Sequence, residues 1–261
     1  MGVKLAATKD LLVWRVETLR LTVFPTSLPD ISSIKWWEDV VDELPESKTL
    51  QVRAGVLQET GPFKGGLCNL SLHCQPQRID WLFSPILKET QELANFPTFS
   101  NFPDSVKLFE ETLLPWLEQC PPTNRIAIGI VLILAVADRK AGYDLLGQYL
   151  PAVKVDSENS RDFSFQINRP RPSQSGISNL QINRLSRWSV ARLSGIVVHV
   201  ISGEPTPRVF ESKEGLDACR VELDINTAPI SDGAFPKEIL SALVKELMDL
   251  GVEIATNGDI P

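Results

Sequence analysis

The sequence predicts an α+β fold, in which helices pack on a mainly antiparallel sheet with a buried central strand at 125–137. That stretch (RIAIGIVLILAVA) carries Ile, Val and Leu in both alternation phases, which is typical of a strand covered on both faces. It is shorter than the roughly 20 residues of a membrane-spanning helix. Most other candidate strands follow one another directly instead of alternating with helices, and this order favours antiparallel pairing.

The first 120 residues contain four predicted strands and three predicted helices. Alternating apolar and polar residues place the strands at 16–24, 50–56, 68–74 and 79–83, with a Gly-Gly turn before the third. Apolar residues three or four positions apart place helices at 33–44, 86–93 and 104–120. The first helix puts Leu44 on its inner stripe. Of its adjacent Trp36 and Trp37, we expect one in the core and the other either at an interface rim or buried as well.

After the central strand, the same alternating pattern returns. A short helix is predicted at 141–150, and strands follow at 163–167, around 180–190, at 195–201 and at 219–225. Residues 169–176 form a Pro-rich loop and 203–215 a polar irregular stretch. A closing helix begins after Pro236, with Gly251 as its C-terminal cap. We therefore predict one domain over 1–261, and the similar order of elements in 1–120 and 121–261 suggests two pseudo-repeated halves.

Composition favours a cytoplasmic globular protein that does not bind membranes. The net charge is −7, so the surface as a whole is not that of a nucleic-acid-binding protein. The first 16 residues contain no uninterrupted apolar segment of the kind that signal peptides have. The four cysteines, Cys68, Cys74, Cys120 and Cys219, form no C-x-x-C pair and are expected to be buried thiols.

Motifs for common enzyme chemistries are missing from the sequence. It contains no G-x-S-x-G, no P-loop and no G-x-G-x-x-G. His73 and Cys74 are adjacent on a predicted strand, so their side chains point to opposite faces and a Cys–His dyad within this strand is sterically awkward. We expect no cofactor and no metal, and we expect the protein not to be an enzyme. One enzymatic alternative stays open: Glu222 and Asp224, with Asp80, as carboxylates of a metal-dependent nuclease.

Four elements of the second half follow one another in a recognisable order and spacing. They are the helix at 104–120, the strand that begins Arg125-Ile126-Ala127-Ile128, the strand 221–226 and the closing helix. Over roughly residues 104–250 this pattern resembles a sporadically distributed, functionally uncharacterised bacterial α+β family. Asn226 stands where the family's pattern ends in Asp. The resemblance implies an α+β fold without a known activity. Because such families often neighbour genes of host–phage conflict systems, it also implies, by analogy, a partner-binding role in defence or toxin neutralisation.

The segment 161–192 has an unusual charge pattern. It holds six arginines, one acidic residue and no lysine, a net charge of +5 within a chain of −7. Arginine suits bidentate contacts to carboxylate or phosphate. We predict a surface that binds a partner or nucleic acid, formed by Arg169, Arg171, Arg184, Arg187, Trp188 and Arg192. Nucleic-acid binding would place arginines on phosphates and Trp188 against a base. Alternatively, the arginines pair with acidic residues at 38–46, in the same molecule or in another copy.

The outer face of the first predicted helix is acidic. It carries Glu38, Asp39, Asp42 and Glu43, which we predict to be an acidic docking face. Together, these patterns favour a non-enzymatic subunit or regulator of a prokaryotic protein complex, acting as a hetero-complex or a homo-oligomer. Nucleic-acid binding through 161–192 is the alternative function, and metal-dependent nuclease activity is the second alternative.

Overall fold

The computed structural model describes residues 14–27, 30–87, 95–193, 196–199, 208–211, 215–230 and 233–261. The α-helices are α1 (Trp36–Val41), α2 (Phe102–Leu113), α3 (Arg139–Tyr149) and α4 (Leu240–Asn257). The strands of the first half are β1 (Arg15–Pro25), β2 (Ser47–Gln51), β3 (Val56–Phe63), β4 (Cys68–Gln75), β5 (Arg78–Ser84) and β6 (Ser100–Asn101). Those of the second half are β7 (Thr123–Val136), β8 (Ser164–Asn168), β9 (Arg171–Pro172), β10 (Gln181–Leu193), β11 (Ile196–His199), β12 (Arg208–Glu211) and β13 (Leu216–Thr227).

Eleven of the described strands form one sheet, which confirms the predicted α+β class with a mainly antiparallel sheet. Nine of them follow the order β2-β3-β4-β5-β1-β7-β13-β10-β8, while β6 pairs with β1 and β9 with β10. The strands β11 and β12 form a separate pair. The two halves have a similar strand order on either side of the β1–β7 pair. The last long strand of the first half, β5, pairs with β1, and the last strand of the second half, β13, pairs with β7.

The strand β7 occupies the centre that the sequence predicted for it. It pairs with β1 on one side and β13 on the other, so that Ile130 lies opposite both Leu19 and Leu223. The β7 residues whose side chains are on the same face of the sheet as that of Ile130 have no solvent exposure, namely Ile126, Ile128, Ile130 and Leu132. The other face is less covered than predicted, because Val131 is half-buried and Ala135 is exposed.

All four helices contact the same face of the sheet, which we call the helix face. Contacts to residues of that face show this: Trp37 of α1 stacks with Trp81, Phe109 of α2 lies against Phe83, and the carbonyl of Gly142 in α3 accepts from the Cys219 thiol. A Cβ at Gly251 of α4 would come within 2.6 Å of Ile130 Cδ1. The opposite face, called the open face, carries most of the polar side chains of the sheet.

The prediction that Gly251 caps the closing helix was wrong. The helix α4 continues to Asn257 and is capped by Gly258, whose amide donates to the Ile254 carbonyl at 2.8 Å. Gly251 lies inside α4 because a residue without Cβ lets the helix approach β7 closely.

The first predicted helix is shorter than expected. It ends at Val41 because Asp42 adopts a left-handed conformation with φ 58°, and its N-cap is Lys35 without a side-chain hydrogen bond. Both Trp36 and Trp37 are buried, whereas Leu44 lies beyond the helix and is 81% exposed instead of facing the core.

Three other predicted elements differ in their boundaries. The strand predicted at 50–56 is interrupted by a 3-10 turn at Val52–Ala54, which Gly55 closes at φ 66°. The strands predicted around 180–190 form one strand of 13 residues, β10. The helix predicted at 104–120 begins at Phe102, with Asn101 as N-cap, and continues after Leu113 as a 3-10 turn at Pro115–Glu118.

Some predictions fall partly outside the described residues. The helix predicted at 86–93 lies mostly there, as does much of the polar stretch 203–215, although β12 lies within it. None of the helices in the described part of the chain combines the length and apolar character needed to cross a membrane.

The packing of Gly258 yields a stability prediction. Gly258→Ala should lower the free energy of unfolding by at least about 2 kcal/mol, because φ is 83° there and a Cβ would lie 2.0 Å from the Tyr149 carbonyl oxygen. Gly147→Ala, on the exposed side of α3 with no atom near its Cβ position, should instead raise it by about 0.5–1 kcal/mol. Urea unfolding followed by circular dichroism measures both, and equal effects would contradict this packing.

Candidate protein-binding surface

Two of the predicted arginines form bidentate ion pairs inside the molecule. Arg169 donates from Nε and Nη2 to both carboxylate oxygens of Asp259, at 2.6 and 2.7 Å. Arg171 forms a second bidentate pair with Glu253, at 2.8 and 3.0 Å, and its Nη2 also donates to the Pro261 carbonyl. These contacts fasten the region around β9 to the C-terminal end of α4.

Arg184 is buried beneath the same end of α4. Its side chain is 1% exposed, and its Nη2 lies 3.8 Å from Glu253 Oε2. Burial lowers the pKa of Arg184, and the neighbouring charge of Arg171 adds to this effect, while Glu253 and Asp259 oppose it. Its guanidinium therefore contributes to the interior of the protein and not to a solvent-facing surface.

Trp188 is also buried on the helix face. Its exposure is 0%, its ring stacks on Tyr149 with centroids 5.5 Å apart, and its Nε1 donates to Ser186 Oγ at 3.0 Å. A buried ring has no free face for a nucleic-acid base.

The remaining two predicted arginines are solvent-accessible and lie apart from this cluster. Arg187 is on the open face, with its side chain 51% exposed and Nη1 3.8 Å from Glu222. Arg192 is 42% exposed and lies 3.5 Å from the buried Asp217. The structure thus brings Arg169, Arg171 and Arg184 together, but separates them from the two exposed arginines. Their acidic partners are on α4 and after it, not at 38–46.

The acidic docking face predicted on the first helix is exposed, although only Glu38 and Asp39 lie within α1 and Asp42 and Glu43 follow its end. Glu38, Asp39, Asp42 and Glu43 are all solvent-exposed, and within the described ranges none of them forms an ion pair. The tryptophans fix this orientation, because Trp36 packs edge-on against Trp116 at 5.5 Å and thereby keeps the acidic side of the short helix outward. Residues 38–46 hold five acidic residues and no basic residue.

The strand that follows this acidic stretch is an edge of the sheet. β2 pairs only with β3 among the described strands, and all five of its residues are exposed. Leu50 lies opposite the buried Leu57 and is itself 42% exposed, so the apolar row of the helix face reaches solvent here. Leu44 and Val52, which flank β2 in the chain, are 81% and 59% exposed. We call β2 with Leu44, Val52 and the four predicted acidic residues the edge surface.

The sequence pattern predicts the acidic half of this surface but not its apolar half. Leu44 was predicted on the inner stripe of a helix, and Leu50 and Val52 belong to the alternating pattern of the strand predicted at 50–56. Pro45 before β2 and Gly55 after it leave space for only a short strand, which is typical of an edge. That spacing is the signal that identifies the edge.

The carboxylates proposed for a nuclease do not converge. Glu222 and Asp224 share the open face, but Glu222 pairs with Arg220 and Arg187, and Asp80 is held by Arg78. The described residues contain no group of three or more His, Cys, Asp or Glu side chains placed to hold a metal ion.

The four cysteines are buried and free. Burial raises the pKa of each thiol to about 12. A thiol that stays protonated at neutral pH is a poor nucleophile. His73, as predicted, lies on the face opposite Cys74, since the two are consecutive residues of β4.

Comparison with protein-family models, curated proteins and solved structures finds no significant match to this chain. The resemblance to the uncharacterised bacterial family therefore stays a prediction.

The internal role of the arginines can be tested through their acidic partner. Asp259→Asn should lower the free energy of unfolding by about 2 kcal/mol, because it removes the charge that neutralises Arg169 at a site where Asp259 is 5% exposed. Glu222→Gln, at a carboxylate that is 32% exposed on the open face, should change it by less than about 0.5 kcal/mol. Thermal unfolding compares the two variants. An unchanged stability of Asp259→Asn would contradict an internal role for Arg169.

Proposed function

We propose that this protein is a non-enzymatic subunit or regulator of a protein complex, and that it binds a basic protein partner through the edge surface. The observation that carries the proposal is the backbone side of β2 that no described strand pairs with, next to exposed Leu44, Leu50 and Val52. The acidic residues beside it form no ion pair with any residue that the structure describes. An unpaired strand edge offers its N–H and C=O groups to an added strand.

The chemistry of the edge surface defines the partner. A strand added beside β2 would continue the sheet, and its apolar side chains would cover Leu50 at the end of the helix-face row. Lysines or arginines near that strand would pair with Glu38, Asp39, Asp42 and Glu43. A second copy of this protein fits less well, because the basic residue that its own edge surface would supply, Lys48, is already paired with Glu59.

The arrangement of the arginines gives less support to nucleic-acid binding. Arg169 and Arg171 are engaged by carboxylates, and Arg184 and Trp188 are buried. Only Arg187 and Arg192 of the predicted set remain largely accessible, and both lie near acidic residues. We retain the resemblance-based hypothesis that the complex belongs to a cytoplasmic prokaryotic defence or toxin-neutralising system.

The proposal predicts that substitutions in the edge surface weaken binding of the partner and that substitutions elsewhere do not. The partner would be captured from the source cells and produced as a pure protein. Calorimetry would then measure its affinity for the wild-type protein and for the variants. Leu44→Ser with Leu50→Ser should weaken binding by roughly 30-fold, because about 2 kcal/mol of apolar burial is lost. Affinity should also fall as the salt concentration rises.

A matched control is available in the same chain. Leu67 and Leu87 are 46% and 74% exposed, close to the values of Leu50 and Leu44, and they lie outside the edge surface. Leu67→Ser with Leu87→Ser should leave affinity within about twofold of wild type. Equal losses in both double variants, or no stable partner, would contradict the proposal.

A further inference from the structure

The middle of the open face contains a groove that the edge surface does not involve. Its volume is about 330 Å³, and Gly129 of β7 forms part of its floor. In register with Gly129 lie Arg20 of β1 on one side and Asp224 of β13 on the other. Apolar contacts are available from Leu82, Val131 and Leu185, and further polar lining comes from Thr18, Gln166, Arg187 and Glu222.

Gly129 creates this space at the centre of the sheet. A Cβ at this position would lie 3.1 Å from Arg20 Nη2 and 3.2 Å from Arg20 Nε. The Arg20 guanidinium therefore lies against the glycine backbone, where any other residue would force it to shift. A glycine inside a strand weakens the strand, because it has no side chain to pack. Such glycines often mark a site where another group approaches the backbone closely.

The charge of Arg20 is incompletely neutralised. Its ion pair with Asp80 is long, 3.8 Å from Nε to Oδ1. Asp80 is already occupied, because Arg78 donates to both of its oxygens at 2.6 and 2.9 Å and Thr22 donates to Oδ1 at 2.5 Å. The Arg20 Nε is shielded from solvent and finds no acceptor among the described residues.

Asp224, on the opposite side of Gly129, has no charged partner within 4 Å among the residues that the structure describes. It accepts one hydrogen bond, from Asn226 Nδ2 at 2.9 Å. The other two charged residues of the lining, Arg187 and Glu222, are paired with each other. Glu222 also interacts with Arg220. Two charged groups thus face the groove: Arg20, whose contact with the already occupied Asp80 is long, and Asp224, which has no charged partner among the described residues.

We propose that this groove binds a small amino-carboxylate, with its carboxylate on Arg20, its amine on Asp224 and its carbon chain against Leu82, Val131 and Leu185. The volume lies at the lower end of the range for small-molecule sites. Two arginines and two acids give the lining no net charge, so a monocarboxylate with an amine fits better than a phosphate or polyphosphate. This site is independent of the proposed partner binding.

The test is a nuclear magnetic resonance titration of the full chain with 4-aminobutanoate, butanoate and butylamine. We expect 4-aminobutanoate to shift the amide signals of Gly129, Val131 and Asp224 saturably, with a Kd on the order of 1 mM. Butanoate and butylamine, which satisfy only one of the two charges, should bind at least about fivefold more weakly. The absence of a saturable shift with 4-aminobutanoate would overturn the proposal.

Three groove variants and one control assign the contacts. Arg20→Met should abolish the shifts from 4-aminobutanoate, and Asp224→Asn should reduce its affinity to that of butanoate. Gly129→Ala keeps every charge but narrows the floor, and should also weaken binding. Arg15→Met is the matched control, because Arg15 is an exposed arginine of the same strand that bonds Thr98 away from the groove lining. Binding that survives Arg20→Met, or that Arg15→Met weakens equally, would refute the assignment.

Discussion

The structure depends on the register of three strands, β1, β7 and β13. In that register Ile128 of β7 lies opposite Leu21 and Ile225, so apolar residues of all three strands meet on the helix face. A slip by one residue would turn this apolar set toward the open face and bring polar residues beneath α4. Burial of the apolar row therefore fixes the pairing, and the pairing fixes which side chains are left for recognition.

The same alternation that builds the core also produces the open face. On β1, Leu19 and Leu21 enter the core while Arg20 and Thr22 point away from it. The groove forms where this outward row passes Gly129, because β7 contributes no side chain there. At the β2 edge, by contrast, the apolar row extends to Leu50, which remains 42% exposed. The two candidate binding sites are consequences of one sheet, at its centre and at its margin.

Local patterns were sufficient to predict most elements of the sheet, since two-residue alternation and turn residues are local. Contacts between distant residues were not accessible in this way. Arg171 and Glu253 are 82 positions apart, and nothing near either residue identifies the other. The arginine segment was therefore recognised as unusual while its internal partners were missed. The same limit applies to Gly129, whose role depends on Arg20 in a strand that lies 109 positions earlier in the chain.

Native-state hydrogen exchange tests the central claim most directly, namely that β7 is the most stable strand, while β2 is an edge strand within the described sheet. Amides of residues 126–132 should exchange only through global unfolding, because β7 is paired on both sides and covered by α4. Amides of residues 47–51 should exchange through small local openings, because β2 pairs on one side only among the described strands. Equal protection of the two strands, or faster exchange in β7, would contradict the account.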